Sequence, residues 1–157
     1  MSDIEDRLKT FIEQLDAYET RISLKTPAGL SNIDEFMSLD KTRLHTMCDE
    51  DCGIAAVELS QYATYLQREI NRQLAIKNWA ESNLHALVAS HNGEYDKYVK
   101  FEIKKFLIEK ENVAAKKLNN IFVTASSRVD SLSYLTTRIQ NQSDALLALQ
   151  QTKRNRK

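Results

Sequence analysis

The chain has 157 residues with only three glycines, one proline and 8% aromatic residues, which argues against a sheet-rich fold and points to an all-α one. Its formal net charge is zero, yet residues 1–60 carry 6 Lys/Arg against 13 Asp/Glu, while residues 61–157 carry 16 against 9. That division of −7 and +7 implies that the C-terminal part meets something anionic, or the acidic part of a neighbouring subunit.

Residues 1–24 read as an acidic amphipathic helix. Asp3 is a candidate N-cap, and Ile4, Leu8, Phe11, Ile12, Leu15, Tyr18 and Ile22 recur at three- and four-residue steps. The opening Met1–Asp6 is acidic and shows no secretory signal, and no run reaches the roughly 18 apolar residues of a membrane span. The expectation is a soluble, cytoplasmic protein that does not enter a membrane. Residues 25–33, with Pro27 and Gly29, form a linker, and residues 34–52 form short helical segments. One of these starts near Asp34; Ser38 or Asp40 caps another that runs through Leu44 and Met47.

Residues 54–152 read as a long antiparallel αα-hairpin with its turn at residues 91–94. From Ile54 to Asn92 there is no glycine or proline, and from Glu94 to Lys157 there is none again. Gly93 is then expected as a left-handed C-cap, with Glu94 and Asp96 at the start of the next helix. The first arm, beginning after Gly53, carries Leu59, Tyr62, Leu66, Ile70, Ala80, Leu84, Leu87 and His91 on one side, interrupted by Gln73 and Lys77. The second carries Tyr95, Val99, Ile103, Phe106 and Val113. A 4-3-4-3 stripe comes next through Leu118, Phe122, Ala125, Val129, Leu132, Thr136 and Ile139, and continues to Leu146 and Leu149. Such spacing over such length predicts an oligomeric helical bundle or coiled coil, the chain itself being the first partner. Residues 153–157, a basic tail without an apolar anchor, are expected to fray.

On a helix, Phe101 has Lys97, Lys104 and Lys105 one turn away, with Lys100 beside it. A ring framed by ammonium groups suits single-stranded DNA, offering a face for a base and cations for phosphates. The same pattern also suits a subunit contact through Phe101 and Ile108 with the lysines on a solvated face. Arg68 and Arg72, one turn apart on the first arm, extend a phosphate track, or Arg68 pairs with acidic residues of the first helix. His45, Cys48, Asp49 and Cys52 offer part of a zinc ligand set, but no second ligand pair accompanies them, so no metal is assigned. There is no phosphate-cradling glycine loop, nucleophile elbow or His-Glu-x-x-His run; the chain reads as a non-enzyme without a cofactor.

Tyr62, Tyr65-Leu66 and Glu69, the turn His91-Asn92-Gly93-Glu94, then Tyr95-Asp96-Lys97-Tyr98 and Glu102-Ile103-Lys104 before a long periodic helix resemble the phage recombination mediators of the UvsY class over about residues 59–150. The resemblance implies an oligomeric helical ring that binds single-stranded DNA, contacts the single-strand-binding protein and helps load a RecA-type recombinase in an infected cell. That family places Lys/Arg and tyrosine just before the turn, whereas residues 83–90 here hold neither. The expected contacts therefore move past the turn, to Lys97, Lys100, Phe101, Lys104 and Lys105. A structural coiled-coil or assembly protein whose basic face binds other proteins is the alternative.

Overall fold

The computed structural model describes residues 3–22 and 32–156, so most of the expected linker lies outside the described residues. Among the described residues, six α-helices occur in order: α1 (Asp3–Arg21), α2 (Ile33–Met37), α3 (Lys41–Thr46), α4 (Asp49–Ser90), α5 (Phe101–Glu111) and α6 (Val113–Arg154). A 3₁₀ turn, Asn92–Glu94, comes after α4, and no strand occurs among the described residues. None of these helices is long and apolar enough to cross a membrane.

The chain divides into two units. Unit 2 comprises residues 25–70 and 130–157. Here α4 and α6 pack together, burying Ala55, Ala56, Leu59, Ala63 and Leu66 of α4 with Ile139 and Leu146 of α6 and Ile33 of α2. The alanines let the two backbones approach closely, and the Ser143 hydroxyl donates to the Ala56 carbonyl at 2.7 Å in the buried interior. The short helices are pinned through polar groups of α6. Gln142 Nε2 donates to the Phe36 carbonyl at 2.9 Å, and Lys153 Nζ donates to the Leu44 and His45 carbonyls at 2.6 and 3.3 Å and to that of Met47. Lys153 is therefore not part of a frayed tail: it closes the exposed carbonyl end of α3, where a cation is favoured. Asp40 is the cap that starts α3, accepting from the Arg43 amide at 2.7 Å.

Unit 1 comprises residues 1–24 and 71–129. Ile4 of α1, Leu84 and Val88 of α4, Ile108 of α5 and Ala115 and Leu118 of α6 form its core, with Trp79, Leu87 and Tyr95 packed against it. α1 contributes little to this core, since Ile4 is its one fully buried residue.

Several boundaries differ from the sequence expectation, each for a local reason. α4 starts at Asp49 and runs through Gly53, its first turn carrying Asp49, Glu50 and Asp51 at the favourable end of the helix dipole. Gly53 lies inside the helix, with the flexible side-chain amide of Gln150 resting against it. Gly93 does not take the left-handed backbone; α4 ends with the His91 imidazole, whose Nδ1 donates to the Leu87 carbonyl at 2.9 Å. The next helix begins at Phe101 and not at Glu94, because the Asp96 carboxylate accepts from the Tyr98 amide at 3.0 Å and holds a turn in place of a helix. Asn112 then splits the second arm. Its side chain accepts from the Ala114 and Ala115 amides at 2.9 and 3.1 Å, capping α6 while its own amide closes α5 on the Ile108 carbonyl at 2.8 Å.

The first interruption shifts α5, and the second the start of α6, away from the expected phase. Ile103, Phe106 and Val113, read from the sequence as a core stripe, are 51%, 60% and 69% exposed, while Lys104 and Ile108 face inward. The later stripe keeps its expected side: Leu118, Ala125, Ile139 and Leu146 are buried.

Candidate nucleic-acid interface

The cations expected to frame Phe101 do not form one cluster. Lys104 is only 7% exposed, and its Nζ donates to the Asn92 side-chain oxygen at 2.6 Å, tying α5 to the 3₁₀ turn. Lys105 pairs with Glu109 at 3.7 Å and lies 5.5 Å from the centre of the Phe122 ring, which Lys77 approaches at 5.6 Å. Arg72 is held by Asp16 at 2.5 Å and Glu19 at 3.3 Å, both on α1. Arg68 belongs to unit 2, where its guanidinium lies 4.9 Å from the Tyr65 ring centre and 3.6 Å from Glu69. The structure therefore places these four in intrachain contacts.

Lys97, Lys100 and Phe101 are exposed and sit together in sequence at the entrance to α5. Lys100 is the N-cap position of the helix, with extended backbone, and Phe101 is its first residue. The Phe101 ring stands edge-on to His85 of α4, with ring centres 4.9 Å apart and planes at 82°, so His85 fixes the ring while 41% of Phe101 stays accessible.

Tyr98 is the residue the sequence reading missed. It is 82% exposed, and Lys97 Nζ lies 5.0 Å from its ring centre. The signal was present in Asp96-Lys97-Tyr98: an aspartate that turns the backbone by accepting the Tyr98 amide sets an aromatic side chain outside any helix face. The connector thus displays two accessible aromatic rings and two ammonium groups within residues 97–101. Exposed rings beside ammonium groups are the chemistry that can stack planar groups and neutralise anions.

The partial zinc set is also placed. Cys52 is buried in α4 and desolvation raises its thiol pKa, whereas Cys48 is exposed and its sulfur accepts from the Asp51 amide at 3.3 Å. Among the described residues, no group of three or more His, Cys, Asp or Glu side chains is gathered for a metal ion.

No family model matches this sequence, and neither a curated protein nor a solved structure matches it.

Proposed function

We propose that the chain is a non-enzymatic, homo-oligomeric single-stranded-DNA-binding accessory protein, resembling the phage recombination mediators and assisting a RecA-type recombinase in the cytoplasm of an infected cell. The observation that carries the reading is the connector, where Tyr98 and Phe101 offer accessible rings beside Lys97 and Lys100. Stacking and charge neutralisation need no bond chemistry, which fits a binding role. Contacts with the recombinase and the single-strand-binding protein rest on the sequence resemblance.

The test is binding of a labelled oligothymidylate over a range of salt. Affinity should fall steeply as salt rises, and Lys97→Glu with Lys100→Glu should flatten the log–log slope by about 1.4, two phosphate contacts at about 0.7 each. No binding at low salt overturns the proposal.

A second reading, an assembly protein that binds other proteins, is favoured by one observation, the exposed Ile103, Phe106 and Val113 face. The two readings separate on Phe106→Ser. Loss of oligomer mass with DNA affinity per subunit intact assigns that face to subunit contact. Unchanged mass in a protein that binds no DNA leaves the assembly-protein reading to be tested with other protein partners.

A further inference from the structure

The way α1 lies on unit 1 repeats, in protein side chains, the contacts that a single strand of nucleic acid makes. Phe11 stacks on Trp79, ring centres 5.9 Å apart and planes at 20°, in the position of a base. Asp16 and Glu19 engage Arg72 at 2.5 and 3.3 Å, and Glu5 engages Lys117 at 2.5 Å, in the positions of phosphates. The cationic and aromatic partners come from α4 and α6, the anions and the stacked ring from α1.

The helix is also poorly seated. Ile4 is its one fully buried residue, and Leu8, Phe11, Ile12 and Leu15 are only half-buried. A groove of about 310 Å³ opens between Trp79 and the Asp6, Thr10, Phe11 and Gln14 side of α1. A larger cleft of about 710 Å³ lies where Ile4 and Arg7 face Ala86, Leu87, Val113 and Leu118. What holds α1 is mainly ion pairs, the Arg7 bond to the Asn83 side chain and one aromatic stack. Asp16 and Glu5 are exposed ends of these pairs, while Arg72 and Glu19 are partly buried; pairs that solvent reaches are individually weak and are screened by salt. A polyanion offering bases and phosphates competes for every one of them.

We propose that α1 is a displaceable strap occupying a second single-strand-binding groove, formed by Trp79, Arg72 and Lys117. This rests on the nucleic-acid reading above and adds its regulation: DNA bound first at the connector displaces α1 and gains the groove beneath it. The acidic α1 thereby also sets a threshold against weak or short ligands.

Trp79 is the only tryptophan in the chain, so its emission reports directly on this event. The experiment titrates labelled oligothymidylate into the full-length protein at low salt, following label anisotropy and Trp79 emission together. It compares wild type, Asp16→Asn/Glu19→Gln, and a control of equal charge change at exposed positions outside the groove, Glu13→Gln/Asp130→Asn. The expected result is quenching of Trp79 on binding, with Asp16→Asn/Glu19→Gln binding roughly tenfold tighter than the control because two α1 carboxylates no longer compete for Arg72. Binding that leaves Trp79 emission unchanged, or a double variant no tighter than its control, overturns the strap while leaving the connector site intact. Absence of binding by both wild type and the Asp16/Glu19 variant overturns the DNA-binding reading itself and the strap with it.

Discussion

The two units use the same pair of helices in different ways. In unit 2, small side chains of α4 admit α6 closely, Ser143 and Lys153 satisfy backbone carbonyls across the contact, and Leu59, Ile139 and Leu146 are almost wholly enclosed. In unit 1, the third layer is α1, held by charge pairs over open grooves, and α5 turns an apolar face and a connector of aromatic and basic residues outward. Unit 2 also leaves apolar side chains outside, Ile54, Val57 and Leu147 among them, but its long helices close directly on each other. Loose closure leaves unit 1 with surface that is available or becomes so, and low local stability is where binding elements are commonly found.

The largest expected effect breaks the tightly packed side. Leu59→Ala empties a fully enclosed site and should cost about 2–5 kcal/mol, read as a lower urea midpoint at unchanged slope. On the other side, Tyr98→Ala removes a ring with little to pack against, so stability should move by less than about 0.5 kcal/mol. The same change should weaken single-strand binding by about 1–3 kcal/mol, measured by anisotropy. If Tyr98→Ala destabilises the fold as Leu59→Ala does, the contrast between the units fails.

A smaller effect concerns the joint between α5 and α6. Asn112→Ala removes a side-chain cap on two amides and should cost about 1 kcal/mol by thermal or urea unfolding. Acid should loosen α1 selectively. Lys117, by hydrogen bond and charge, holds the Glu5 carboxyl below its ordinary value of 4.5. A lowered folded-state pKa contributes stability above the unfolded value, and that contribution disappears as pH falls through the folded one. Hydrogen exchange below about pH 4.5 should therefore show α1 losing protection before the α4–α6 contacts of unit 2 do. Equal loss in both places would contradict the account of α1 as weakly held.

How much of this was legible in the sequence depends on the kind of interaction. The C-terminal end of α4 and the late stripe of α6 could be read directly, because a stretch almost free of glycine and proline with three- and four-residue apolar spacing has few alternatives. The region between them could not. Asp96 and Asn112 end and restart helices by hydrogen bonds of a single side chain to nearby amides, and each resets the phase of the next helix, so Ile103 and Phe106 emerge where Lys104 and Ile108 are buried. A pairing with the acidic first helix was legible for Arg68, but the structure gives it to Arg72, one turn further on, with Asp16 and Glu19 more than fifty positions away. The charge division between the two ends of the chain suggested a partner; the structure places part of that partner within the same chain. For the candidate site, Lys97, Lys100 and Phe101 were visible as residue types, but the exposure of Tyr98 and the support from His85 depend on how the connector turns.

The most direct measurement is photo-crosslinking of an oligonucleotide carrying 5-bromodeoxyuridine, with mass mapping of the modified peptides. Stacked rings react preferentially, so adducts are expected on Tyr98 and Phe101, diminishing as salt releases the strand. Adducts confined to segments outside residues 95–101 and away from Trp79, or no adduct under low-salt binding conditions, would contradict the assignment of the connector in unit 1 as the surface that meets single-stranded DNA.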